Sequence, residues 1–144
     1  MIDLRIKSLF FDAKAVLAAV DRGVRAVLSK FGAFVRTSSR QSIRKRKAVS
    51  QPGSPPSSHV GTLRRLIFFG YDPQSKSVVI GPAPFAGRTG RVEAPPLLEY
   101  GGRARRKDRK GRTVTATYAP RPFMGPAFDQ EQQKLPELWA GSIK

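Results

Sequence analysis

A chain of 144 residues with 27 Lys and Arg against 10 Asp and Glu carries a formal charge of +17, and 40% of it is hydrophobic. That is enough apolar material for one domain with one core, while the charge favours a polyanionic partner: DNA, RNA or an acidic protein surface. The absence of cysteine excludes disulfide frameworks, thiolate zinc sites and thiol nucleophiles. No apolar run reaches signal-peptide or membrane-span length, so the sequence reads as a soluble intracellular protein, or as part of something assembled inside a cell.

Ile2, Leu4 and Ile6 alternate with Asp3, Arg5 and Lys7, the period of a short half-buried strand. Asp12 is placed to N-cap a helix. Val16, Val20, Val24, Val27, Phe31 and Val35 then recur every three or four residues, in a stripe widened by Leu17 and Leu28. The pattern predicts a helix over 12–43, with Gly23 and Gly32 as weak points, each about 1 kcal/mol worse than Ala. Residues 22–71 hold no Asp or Glu, and the helix closes on Arg44-Lys45-Arg46-Lys47. Cations suit a helix C-terminus, although four in a row exceed that need.

The segment 50–58, Ser-Gln-Pro-Gly-Ser-Pro-Pro-Ser-Ser, has no apolar anchor for a core. It reads as part of an extended arm over 46–61 with polyproline character, poorly ordered alone and ordered against a neighbouring chain. Residues 63–71 and 76–81 read as paired strands around the turn Asp72-Pro73-Gln74-Ser75, and Pro82-Ala83-Pro84 ends the second. Pro95 to Gly102 reads as one helical turn opened by proline and closed by glycine. The basic run 103–112 reads as an exposed loop, and 113–118 as a strand by β-branching. Gly125-Pro126 opens a helix with Asp129 and Glu131 in its first turn, which Pro136 kinks or restarts.

These elements predict a single α+β domain over 1–144. A long N-terminal helix packs on a small antiparallel sheet of 63–71, 76–81 and 113–118, with room for 2–6 beside them, and a C-terminal helix follows. The expected core is Val20, Val24, Val27, Phe31, Ile67, Val79, Ile80 and Phe128.

Catalytic chemistry has little to work with. His59 is the single histidine and lies in a polar segment, where it is more often incidental than catalytic. Glu93, Glu99 and Asp108 match no metal-ligand spacing, and Glu99 is more simply a surface or capping residue. The glycines of 81–90 form no phosphate loop. The expectation is a protein without enzymatic activity, cofactor or metal.

The candidate residues are the two basic runs: Arg44, Lys45, Arg46 and Lys47, and Arg103, Arg105, Arg106, Lys107, Arg109, Lys110 and Arg112. Charged runs are usually solvated faces, but seven cations against one acid within 103–112 form a block that favours a polyanion contact. Without interleaved aromatics or a helix-turn-helix, zinc-finger or RNA-recognition signature, DNA contacts are expected at phosphates, salt-sensitive and blind to sequence. The aromatics Phe10, Phe11, Phe31, Phe34, Phe68, Phe69, Phe123, Phe128 and Trp139 suit core and subunit contacts better than base stacking.

A series of motifs carries a resemblance. The basic amphipathic helix and Pro/Ser arm precede Ser58-His59-Val60-Gly61-Thr62-Leu63-Arg64-Arg65. Ser77-Val78-Val79-Ile80-Gly81-Pro82, Pro96-Leu97-Leu98-Glu99-Tyr100-Gly101-Gly102 and Arg121-Pro122-Phe123-Met124-Gly125-Pro126-Ala127 follow in order. Over nearly its whole length the chain resembles the neck and tail-completion proteins of long-tailed bacteriophages, also labelled minor tail or morphogenesis proteins. The resemblance implies a non-catalytic α+β virion subunit, assembled in the host bacterial cytoplasm. It implies a homo-oligomeric ring of six or twelve copies at the head–tail junction, between the head-closure and tail-terminator proteins and around the DNA channel, with no membrane partner. Two alternatives stand beside it: a non-specific nucleic-acid-binding protein, and the tail terminator itself.

Overall fold

The long helix forms where its cap and stripe place it. Asp12 Oδ1 accepts from the Ala15 amide at 2.9 Å, and helix α1 runs over Ala13–Ser42 to a C-cap at Ile43. A computed structural model of the chain describes residues 12–87, 90–92 and 94–142, with backbone only over 85–87 and 90–92. The expected strand over 2–6, together with Phe10, Phe11 and Glu93, lies outside the described residues.

After α1 come a short helix α2 (Thr62–Arg65) and an antiparallel hairpin of β1 (Ile67–Asp72) and β2 (Ser77–Pro82). A second small hairpin pairs β3 (Phe85–Gly87) with β4 (Gly90–Val92). Helix α3 (Ala94–Tyr100) leads into a third, β5 (Gly102–Lys107) with β6 (Thr113–Tyr118), and the chain ends in α4 (Gly125–Gln132) and α5 (Leu135–Trp139). The class is α+β, with a long N-terminal helix, small antiparallel ladders and a C-terminal helix.

Helix α1 is the spine of the core. Phe31 and Val35 are buried against Ala127 of α4, with Val78 and Ile80 of β2 alongside. Ile43, Leu63, Ile67 and Phe123 form a second cluster beyond the helix end, completed by Leu98 and Met124. Gly32 sits where α1 crosses the β1–β2 hairpin. A Cβ built there would lie 2.7 Å from Val78 Cγ2 and 2.8 Å from Phe69 Cδ2, so the weak point of the helix is the point of closest approach.

Several expectations are corrected. The ladders are three separate two-stranded units among the described residues, not one sheet, and 62–65 is helical rather than the start of a strand. Val79 is not core: it is 67% exposed, because its neighbours Val78 and Ile80 take the inner face and successive strand residues point oppositely. Phe128 stays 42% exposed and gives one ring edge to Phe31, centroids 5.5 Å apart at 81°. Val20 and Val24 are half-buried. Helix α4 has no acid in its first turn, since it starts at Gly125, which leaves Asp129 and Glu131 further along.

Candidate nucleic-acid interface

The candidate interface is built on a joint formed by two of the sequence motifs. Leu98 of α3 packs on the second core cluster. Glu99, beside it, turns its carboxylate to the start of α4: Oε2 accepts from the Phe123 and Met124 amides at 2.9 and 3.0 Å, and Oε1 from Gly125 at 2.8 Å. A carboxylate on free amides at a helix N-terminus satisfies donors that the helix itself cannot. Gly101 and Gly102 follow at φ of 70° and 134°, and a Cβ on Gly101 would meet Tyr118 O at 2.8 Å and the Pro120 nitrogen at 2.9 Å. The Leu-Glu-Tyr-Gly-Gly sequence thus docks α3, caps α4 and turns the chain sharply into β5.

Strand β5 contains much of the second basic run, which corrects its reading as a loop. Its register pairs Arg103 with Thr117, Arg105 with Thr115 and Lys107 with Thr113, and threonine is a good strand former that supports charged partners. One face therefore carries Arg103, Arg105 and Lys107 beside three threonines, and all six are exposed. The other face carries Ala104, Arg106, Val114, Ala116 and Tyr118, of which Ala104, Ala116 and Tyr118 are half-buried. Arg109 and Lys110 lie in the connecting turn. Asp108 closes that turn: its Oδ1 accepts from the amides of Lys110 and Arg112 at 2.8 and 2.9 Å. Its Oδ2 meets Arg112 Nε at 3.2 Å. Among the described residues, Arg112 is the one member of this run paired with a carboxylate.

The first basic run follows the C-cap of α1, with Arg44, Lys45, Arg46 and Lys47 all exposed. The arm expected beyond it folds back onto the body instead. Arg44 and Ser57 form a parallel bridge, and the Ser58 amide donates to Arg44 O at 3.0 Å. Arg46 Nε donates to Ser57 Oγ at 2.9 Å. On the other side the Gly53 amide donates to Pro120 O at 2.8 Å, and Arg121 Nε donates to Ser50 O at 3.0 Å. Ser50, Pro56 and Ser58 are buried. Backbone hydrogen bonds, rather than the missing apolar anchors, seat the segment. It brings the first basic run near the root of the β5–β6 hairpin, since Ser57 bonds to Arg46 and shares an open groove with Thr117 and Tyr118.

His59 is exposed at the edge of that groove. Among the described residues, no three His, Cys, Asp or Glu side chains gather as metal ligands would. Among the described residues one carboxylate is buried: Glu131, 3% exposed, accepts from Lys134 Nζ at 2.7 Å and Ser38 Oγ at 2.6 Å. The Lys134 ammonium, and after it the Ser38 hydroxyl, hold this carboxyl below the usual glutamate range. It is a tie between α1 and α4, away from the basic hairpin. Sequence reasoning gave the threonines no role on the cationic face and missed Arg121 as the clamp of the arm. A strand alternation of Thr opposite Arg was the available signal for the first, and nothing local signals the second.

Comparison of the chain with protein-family models, with curated proteins and with solved structures finds no match.

Proposed function

We propose that the protein is a structural virion subunit that assembles as a ring at a bacteriophage head–tail junction, joining the head-closure ring to the tail around the DNA channel. The motif order in the sequence supports this reading. One observation carries the structural side of it. Leu17, Phe68 and Tyr100, exposed by 62%, 50% and 81%, are large apolar side chains that contacts within a ring would cover. The exposed β5–β6 ladder points the same way, because an isolated hairpin is marginal in water until something packs on it.

The outward cations of β5 favour a second reading, a stand-alone nucleic-acid-binding protein that coats DNA. The tail terminator is a neighbouring variant of the first reading and shares its size and class. Mass measurement of the purified chain, alone and with DNA, separates the two classes. A ring component gives discrete oligomers or a monomer that awaits its neighbours, with a fixed stoichiometry. Continuous, length-proportional coating of DNA would overturn the ring and leave the DNA-coating protein.

A further inference from the structure

We infer that the β5–β6 hairpin is a ribbon that lies along the phosphodiester backbone of double-stranded DNA, with Arg103, Arg105, Lys107, Thr113, Thr115 and Thr117 as its contact face. The inference rests on the head–tail reading for its setting, and it deepens that reading by choosing DNA over an acidic protein as occupant and one face of the hairpin over the basic run as a whole.

The register makes the choice of face. Arg103, Arg105 and Lys107 point to one side of the ribbon, each opposite a threonine, while Arg106 points to the other side with Ala104, Val114, Ala116 and Tyr118. The cations repeat every two residues, about 6.6–6.8 Å apart, so the three span about 13 Å of strand. Over that length duplex DNA presents one phosphate charge per about 1.7 Å of axis, so a regular row of cations meets anions wherever it lands. Threonine hydroxyls between the cations donate to phosphate oxygens as neutral partners, alongside the charge-assisted bonds of the guanidinium and ammonium groups.

The chemistry of the face also selects DNA over protein. It holds no aromatic and no aliphatic side chain, so it lacks the apolar centre and aromatic anchors of protein interfaces. Interfaces with DNA are more polar and far more positive. The lack of aromatics likewise rules out base stacking as the mode of contact. Two structural details fit a presented ribbon. Its root is fixed by Gly101 and Gly102 beside Tyr118 and Pro120, and Asp108 ties its tip through two amides and Arg112.

The test titrates the full chain with a random-sequence DNA duplex across a salt series and compares variants that remove equal charge. Arg103→Gln/Arg105→Gln/Lys107→Gln is expected to flatten the slope of log affinity against log salt by about 2.7, at about 0.9 per lost phosphate contact. Arg106→Gln/Arg109→Gln/Lys110→Gln is expected to flatten it by clearly less. Thr113→Val/Thr115→Val/Thr117→Val preserves the strand, and is expected to weaken binding at fixed salt by about tenfold with the slope unchanged. Circular dichroism and melting of each variant confirm the fold. Equal slopes for the two charge-removing variants overturn the inference in favour of a diffuse field. Polyglutamate competing as well as duplex at equal charge overturns it in favour of an acidic protein. The head–tail reading fails or stands separately, on particle assembly rather than on this titration.

Discussion

Glu99 accepts from three backbone amides that lie 24 to 26 residues away in sequence, so one carboxylate fixes α3 against the start of α4. Truncation orphans those donors, and hydrogen bonds to a charged group contribute about 1.5–3 kcal/mol each way. Glu99→Ala is expected to lower the unfolding free energy by about 2–3 kcal/mol in urea titration, with Glu99→Gln between it and the native chain because one carbonyl oxygen remains. Native stability for both would mean that the loop before α4 holds itself. Glu131 gives a prediction in pH. Its folded-state pKa is depressed below the ordinary 4.5 by Lys134 and Ser38, so the unfolded chain takes up a proton first as pH falls. The stabilisation is therefore complete above about 4.5 and is lost as pH drops through the lower folded value. Glu131→Gln is expected to be less stable at neutral pH and to lose less of its stability on acidification. An acid limb as steep as the native one would place the titrating group elsewhere.

At the scale of elements, Gly32 sets two effects against each other. Alanine there improves helix propensity by about 1 kcal/mol, but its methyl meets Val78 and Phe69 at 2.7 and 2.8 Å. Overpacking of that kind costs about 1–3 kcal/mol, so Gly32→Ala is expected to lower the melting temperature, and a raised one would show that the hairpin yields. The folded-back segment 50–58 is expected to resist limited proteolysis in the native chain. Arg121→Ala, which removes the bonds from Arg121 to Ser50 O and Ala119 O, is expected to open it to cleavage, and an unchanged digest would mean that the bridge to Arg44 suffices. Helix α1 was legible because Asp12 and an apolar stripe of about five turns from Val16 to Val35 both declare it. The segment 50–58 was not, because its anchors are backbone groups and a distant arginine. Strand β5 was not, because Arg and Lys give it no strand signal and its pairing with threonines across the turn does. The cations of the candidate site could be counted from sequence, but their division between two faces follows from register alone.

For the whole molecule, charge and surface point in the same direction. A chain of +17 accumulates repulsion with every copy added to a ring, and such an assembly needs DNA or acidic neighbours to hold it. The folded-back segment links Arg44 and Arg46, through Ser57, to the Thr117–Tyr118 root of the β5–β6 hairpin. Electron microscopy of phage particles assembled without this protein tests the central claim most directly. DNA-filled heads and finished tails that remain apart, and that join when the native chain is supplied, are the expected result; particles with heads and tails joined in its absence would contradict it.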